Sequence, residues 1–267
     1  MKQYLSFFKL KFAVGLQYKA AALAGISTQI FFGLVYIMVY IAFYRSGTTD
    51  TGISLKELIS YMWLNQAFLA LISIWQRDEE IMSMIRKGDV AYELCRPQNL
   101  YIMWFARILA SKLSAVLLRS GPLIIIAFLL PSPYNLSMPH SILSFIIFVI
   151  TLVFASFLVT ALSTMVYILS FYTIDNQGVR GIYCSIAEIL SGQVIPLPLF
   201  PNILKVIASV LPFAFISDFS FRIYSGNIIG KELYQGLILE IFWVIIIILI
   251  GLLATKGILK RVSVQGG

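Results

Sequence analysis

Ala20 to Tyr44 and Ile142 to Tyr172 are two unbroken stretches without a single charged side chain, each longer than the about 20 helical residues that cross a bilayer core. Few chains could shield such runs inside a soluble domain. Composition agrees, since 60% of the 267 residues are hydrophobic, only 12% are charged and the mean hydropathy is +0.90, where soluble domains carry about 25% charge. The chain reads as an all-α integral membrane protein. Its net charge of +8 and pI near 9.5 do not point to nucleic acid, because the basic residues flank apolar runs instead of forming a polar domain.

Residues 1–19 read as an interfacial helix. Lys2, Ser6, Lys9, Ala13 and Gln17 form a polar stripe and Tyr4, Phe7, Val14 and Tyr18 an apolar one, interrupted by Lys11. Spans are expected at about Ala20–Tyr44, Leu58–Trp75, Leu113–Leu130 and Ile142–Tyr172, with Arg119 near the inner end of the third, free to snorkel or pair. A short fifth run, Gly181–Ile195, breaks at Pro196, Pro198 and Pro201, and a last span covers about Leu237–Ala254. The apolar run Ile203–Ile216 is counted as a re-entrant or outer-surface hairpin. Six spans leave Lys2, Lys9, Lys11, Lys19, the bases from Arg77 to Arg119, Arg180, Lys256, Lys260 and Arg261 on one side, the cytoplasmic one; seven would move the last three outside. Both termini are then cytoplasmic.

The longest polar interval is Arg77 to Pro97, RDEEIMSMIRKGDVAYELCRP. Asp89 can cap a helix, Glu93 lies near its positive end, Gly88 supplies a hinge before it and Pro97 ends it. Such a helix, about two turns long with Val90 and Leu94 on one face, has the form of a plug for a soluble partner. Ser156, Thr160 and Thr164 recur at every fourth position, either to admit a neighbouring helix or to bond their own backbone.

Chemistry is sparse. His140 is the only histidine, and Cys95 and Cys184 have no paired spacing, which argues against metal sites and histidine-dependent triads. Gly226–Lys231 falls short of a P-loop, so ATP is not bound that way, and Leu190-Ser191-Gly192-Gln193 lacks a glycine of the ATPase signature it resembles. Glu188 and Glu240 are the acids inside expected spans; Glu240 is expected to reach the interface. Glu188 serves either a hydrogen bond within the bundle or a substrate path, the latter together with Gln193, Pro196, Pro198 and Phe200 in the break that follows. An ion-coupled secondary transporter would need Glu188 in a relay, yet no inverted repeat is visible. A membrane-embedded enzyme would need convergent His, Asp or Cys groups.

The order of these features resembles the permease subunits of type-2 ATP-binding-cassette exporters: a basic start Gln3-Tyr4-Leu5-Ser6-Phe7-Phe8-Lys9-Leu10 running to Leu16-Gln17-Tyr18-Lys19-Ala20-Ala21, six spans, the string IRKGDVAYELCRP and a broken fifth span. That resemblance covers nearly the whole chain. It implies a single permease domain, 1–267, with an interfacial helix (1–19), a cytoplasmic coupling loop (77–112) and an outer hairpin and loop (194–234). It further implies that Ile85–Pro97 docks on a separate ATPase subunit through Gly88, Asp89, Val90, Tyr92, Glu93, Leu94, Arg96 and Pro97. ATP and Mg would be held by that subunit and no cofactor by this chain. A second permease, identical or related, membrane lipids and a bacterial inner membrane complete the expectation, with an amphipathic or lipid-like substrate exported.

Overall fold

The computed structural model describes residues 2–47, 52–171 and 177–259, and every regular element among them is helical. In order these are α1 (Lys2–Gly15), α2 (Lys19–Arg45), α3 (Leu55–Ile72), α4 (Glu79–Lys87), α5 (Val90–Leu94), α6 (Leu100–Leu129), α7 (Ile142–Leu169), α8 (Gln177–Leu190), α9 (Asn202–Val210), α10 (Asp218–Ser225) and α11 (Gly230–Leu259). Two short 3₁₀ turns, Leu197–Leu199 and Pro212–Ile216, flank α9. Lys260 and Arg261 lie outside the described residues.

Four helices, α2, α6, α7 and α11, are long and apolar enough to cross a membrane. The chain is an integral membrane protein. The other two expected spans have different character. α3 is the central helix, enclosed by α2, α6, α7 and α10, so it carries Ser60, Asn65 and Gln66 in its buried surface instead of a lipid-facing apolar coat. It opens with a capping box in which the Glu57 amide donates to the Ser54 hydroxyl (3.3 Å) and the Ser54 amide to the Glu57 carboxylate (2.8 Å). α8 ends after Leu190, where Gly192 takes a left-handed φ of 79° and turns the chain.

The core forms around α3. Tyr61, Trp63, Leu64 and Ile72 are buried there, with Phe221 edge-on to Tyr61 at 5.4 Å and the Trp63 indole donating to the Tyr134 carbonyl at 2.7 Å. α2 comes close through Gly33, where a Cβ would lie 2.9 Å from the Trp63 ring. α11 lies along α7 with a stripe of Gly236, Glu240, Val244, Ile247, Gly251 and Thr255, the spacing of one helix face.

Two expectations change and one open alternative is decided. The mixed segment after Pro97 is already helix: α6 starts at Leu100, its first turn capped by Asn99 accepting from the Ile102 amide at 3.2 Å, and its interior polar residues Arg107, Lys112 and Ser114 face protein. Glu240 does not reach an interface. α11 begins several residues earlier than the hydropathy suggested, which places Glu240 on the buried stripe, with neither carboxylate oxygen hydrogen-bonded. Ser156, Thr160 and Thr164 each donate to their own helix, Thr160 to the Ser156 carbonyl at 2.6 Å and Thr164 to that of Thr160 at 2.7 Å. The backbone-bonding alternative holds for that stripe.

Gly33→Ala should lower the thermal midpoint by the equivalent of about 1–3 kcal/mol, since the added methyl collides with Trp63. The control is Gly121→Ala, whose methyl meets nothing within 4 Å and which should leave the midpoint level or raised. A detergent-solubilised melting curve of each variant distinguishes the two.

Candidate functional site

The polar interval folds as a helical hairpin of two short helices and not as one plug on a solvated stalk. Asp78 caps α4, its carboxylate accepting from the amides of Glu80 (3.1 Å) and Ile81 (3.2 Å), and its own amide donates to the Tyr167 hydroxyl at 2.7 Å. Gly88 ends α4 at a left-handed φ of 78°, with open space around its Cβ, and Asp89 and α5 follow. Asp89 makes no side-chain cap; its backbone is already in the right-handed helical region, whereas a cap residue is normally extended. Glu93 accepts from the Gln98 amide at 2.9 Å and sits 3.8 Å from Arg96, which stiffens the exit from α5.

Val90 and Leu94 part company. α5 has only five residues, so Val90 is buried with Ile81, Met82, Leu100, Trp104, Ile108 and Tyr167, while Leu94 is turned outward. Tyr92 is 73% exposed, and with Arg86, Lys87, Leu94, Arg96 and Pro97 it forms an open surface, basic at both ends and apolar between.

What fixes this surface is Arg107 of α6. Its guanidinium donates through Nε to Asp78 and through an Nη to Glu80, so one rigid fork holds the cap and the first turn of α4. Lys11 of α1 reaches Glu80 at 3.4 Å. The Arg107 fork, with Lys11 adding to it, holds the Glu80 carboxyl down at about 2, well under its ordinary 4.5. Glu80 therefore stays ionised at neutral pH. Its side chain is 60% exposed, so solvent screens much of the attraction.

α1, which falls within the stretch expected as an interfacial helix, packs along α6. Tyr4, Phe8, Lys11 and Gly15 face α6, Tyr4 accepting from the Asn99 amide at 2.8 Å, whereas Val14 and Tyr18 are exposed. Lys11 turns toward the loop. Arg77 to Glu80, which sequence alone would leave as a solvated helix end, supplies the acids of the cluster.

The second expected site lies around the break after α8. Gln193 donates to the Ser191 hydroxyl (2.9 Å) and the Ile72 carbonyl (3.3 Å), and its own carbonyl accepts from Asn65 at 2.7 Å. Pro196 and Pro198 are buried, and Phe200 packs on Leu197, Ala208 and Ala214. Glu188 is half-buried and makes no side-chain hydrogen bond among the described residues. The organiser here is Asp218, buried beneath the break: it accepts from the Leu197 amide and the Tyr61 hydroxyl, each at 3.1 Å, and lies 3.4 Å from Arg222. Asp218 escaped the sequence reading because it falls just past the apolar run ending at Ile216. Its signal is a lone acid four residues before an arginine in an apolar setting.

A family model for ABC-2 family transporter proteins matches residues 30–265. The chain belongs to that family. It is thus an ABC-2 type permease, a membrane component of a transporter that works with an ATP-binding-cassette subunit. A search of curated proteins gives no match. The permease's loop helices, α4 and α5, are in the matched region, and so are the break after α8 and the hairpin that follows.

Arg107→Ala should speed tryptic cleavage at Arg86 and Lys87 and lower the thermal midpoint by the equivalent of about 1–3 kcal/mol. Arg107→Lys should recover little, because an ammonium cannot fork between two carboxylates. Glu80→Gln should melt below the unaltered protein at pH 7. A depressed carboxyl contributes above its unfolded value, so that gap should close as the pH falls from about 4.5 toward 2.

Proposed function

We propose that this permease couples ATP hydrolysis on a separate subunit, which holds ATP and Mg, to export of an amphipathic or lipid-like substrate. The observation carrying this reading is the α4–α5 hairpin: an exposed Tyr92 and Leu94 flanked by bases, on a unit fastened by Arg107 to a membrane-spanning helix. A loop so fastened cannot be pushed without moving α6 and, through Lys11, α1. In this reading Gly88 to Pro97 docks on the ATPase, and closure of two ATPase subunits levers a pair of permeases, identical or related, between two states.

The transport reading places both termini and the α4–α5 hairpin in the cytoplasm of a bacterial cell, with the protein in its inner membrane. α3 and α8 then complete six crossings, and residues 194–216 form a re-entrant hairpin. Support comes from Trp243, whose indole donates to the Val210 carbonyl at 2.8 Å. Trp243 is about 20 Å along α11 from Gly230 at the helical rise, so the end of α9 lies well down the span. Irregular backbone at such depth is viable where protein meets its polar groups, as Asp218 and Asn65 do here. Glu188 stands beside this hairpin as the candidate path residue, with Gln193, Pro196, Pro198 and Phe200 shaping the break.

Tyr92→Asp should abolish substrate export in vesicles and release ATP hydrolysis from control by substrate, with insertion and thermal midpoint unchanged, because Tyr92 is largely exposed. Undiminished export by that variant would refute the docking role.

A further inference from the structure

At the end of the bundle that carries α4 and α5, a cavity of about 710 Å³ opens between α1, α2 and α6. Its rim holds three carboxylates, and each already has a cation: Arg107 takes Asp78 and, with Lys11, Glu80, while Arg86 stands 3.5 Å from Glu79. The wall behind them carries two basic side chains. Lys112 is buried, and its ammonium is held by the carbonyls of Leu71 (3.3 Å) and Ser73 with no carboxylate near. Arg119 lines the same cavity about 18 Å further along α6 than Arg107. Its Nε is buried without a hydrogen-bond partner, and the half-buried side chain makes no ion pair among the described residues. Backbone of α2 makes room for it: a Cβ on Gly25 would lie 2.9 Å from the Arg119 guanidinium carbon.

An unpaired arginine at that depth in a spanning helix marks a wet or ligand-bearing site. The opposite wall is apolar. Val14 near the end of α1, Tyr18 just before α2 and Ala21 of α2 line the cavity and are exposed.

We propose that this cavity binds the anionic head of an amphiphile, a phosphate or a carboxylate, between Arg119 and Lys112, with the apolar tail leaving past Val14, Tyr18 and Ala21 between α1 and α2. This rests on the transport reading for its purpose and would make the substrate an anionic one. A guanidinium presents a fork that suits phosphate and carboxylate oxygens, and a dry wall strengthens the attraction. Entry from the side fits a ligand whose tail never leaves the bilayer.

The test is binding to the purified permease in detergent, which needs neither ATPase nor transport, so failure here leaves the transport reading standing and the reverse is equally true. The probes are a short-chain phosphatidic acid, the diacylglycerol of the same chains, and inorganic phosphate, titrated by thermal shift. The phosphatidic acid should bind at least about tenfold more tightly than the diacylglycerol. Arg119→Gln should erase that preference and Arg119→Lys, which keeps the charge but not the fork, should keep only part of it. Ser111→Glu, an exposed change at the cavity wall, should weaken phosphatidic acid binding without affecting the ligand-free midpoint. Equal binding of the two lipids, or a preference that survives both Arg119→Gln and Ser111→Glu, overturns the site. Displacement of the phosphatidic acid by inorganic phosphate at equal concentration overturns the amphiphile and assigns the site to a soluble anion.

Discussion

The fork of Arg107 across Asp78 and Glu80 is the contact on which the loop-bearing end of this permease depends. Without it α4 would lose the anchor of its capping residue, Lys11 would be left with an unguided partner, and the hairpin would hang from the end of α3. The fork costs the dehydration of an arginine that is 11% exposed, and that cost is offset because both carboxylates arrive preorganised, Asp78 by its capping bonds and Glu80 by the first turn. A bidentate cation between two helices behaves as a hinge pin: it permits the pair to move as one body and resists their separation.

The opposite end uses the same device with an acid at the centre. Asp218 gathers the Leu197 amide, the Tyr61 hydroxyl and Arg222, and so turns the proline-rich break after α8 into a fixed element. Each end thus rests on one buried ionisable group: Asp218 meets irregular backbone directly at the Leu197 amide, and Arg107 holds the carboxylate that caps the amides of α4. Between them α3 serves as the axis. It touches the break through Asn65 and Tyr61, and its carboxyl end leads through Ser73 and Trp75 into the hairpin.

Much of this was legible in the sequence, and the reasons for the rest are physical. Long apolar runs gave α2, α7 and α11, because hydrophobic length is a direct reading of bilayer thickness. Gly88 and Pro97 bounded the loop helix correctly, since left-handed φ and a missing amide are properties of single residues. Partnerships across the chain were not legible. Lys11 with Glu80, Arg107 with Asp78 and Tyr61 with Asp218 join residues far apart in sequence, and local patterning contains no term for them. The contact of α1 with α6 and with Glu80 falls in the same gap. Asp89 looked like a cap because its residue type is suited to one, yet the tight turn at Gly88 leaves its backbone helical.

The account stands on the claim that the α4–α5 hairpin is the surface that meets the ATPase. A photoreactive phenylalanine analogue placed at Tyr92 of the permease, co-expressed with its ATPase subunit and irradiated in native membranes, tests it directly. The account predicts a covalent adduct of permease and ATPase from position 92 and none from Ser209 of α9, which packs beside the break after α8. An ATPase that remains bound to the permease but gives no adduct from position 92, or gives one equally from 209, would contradict it.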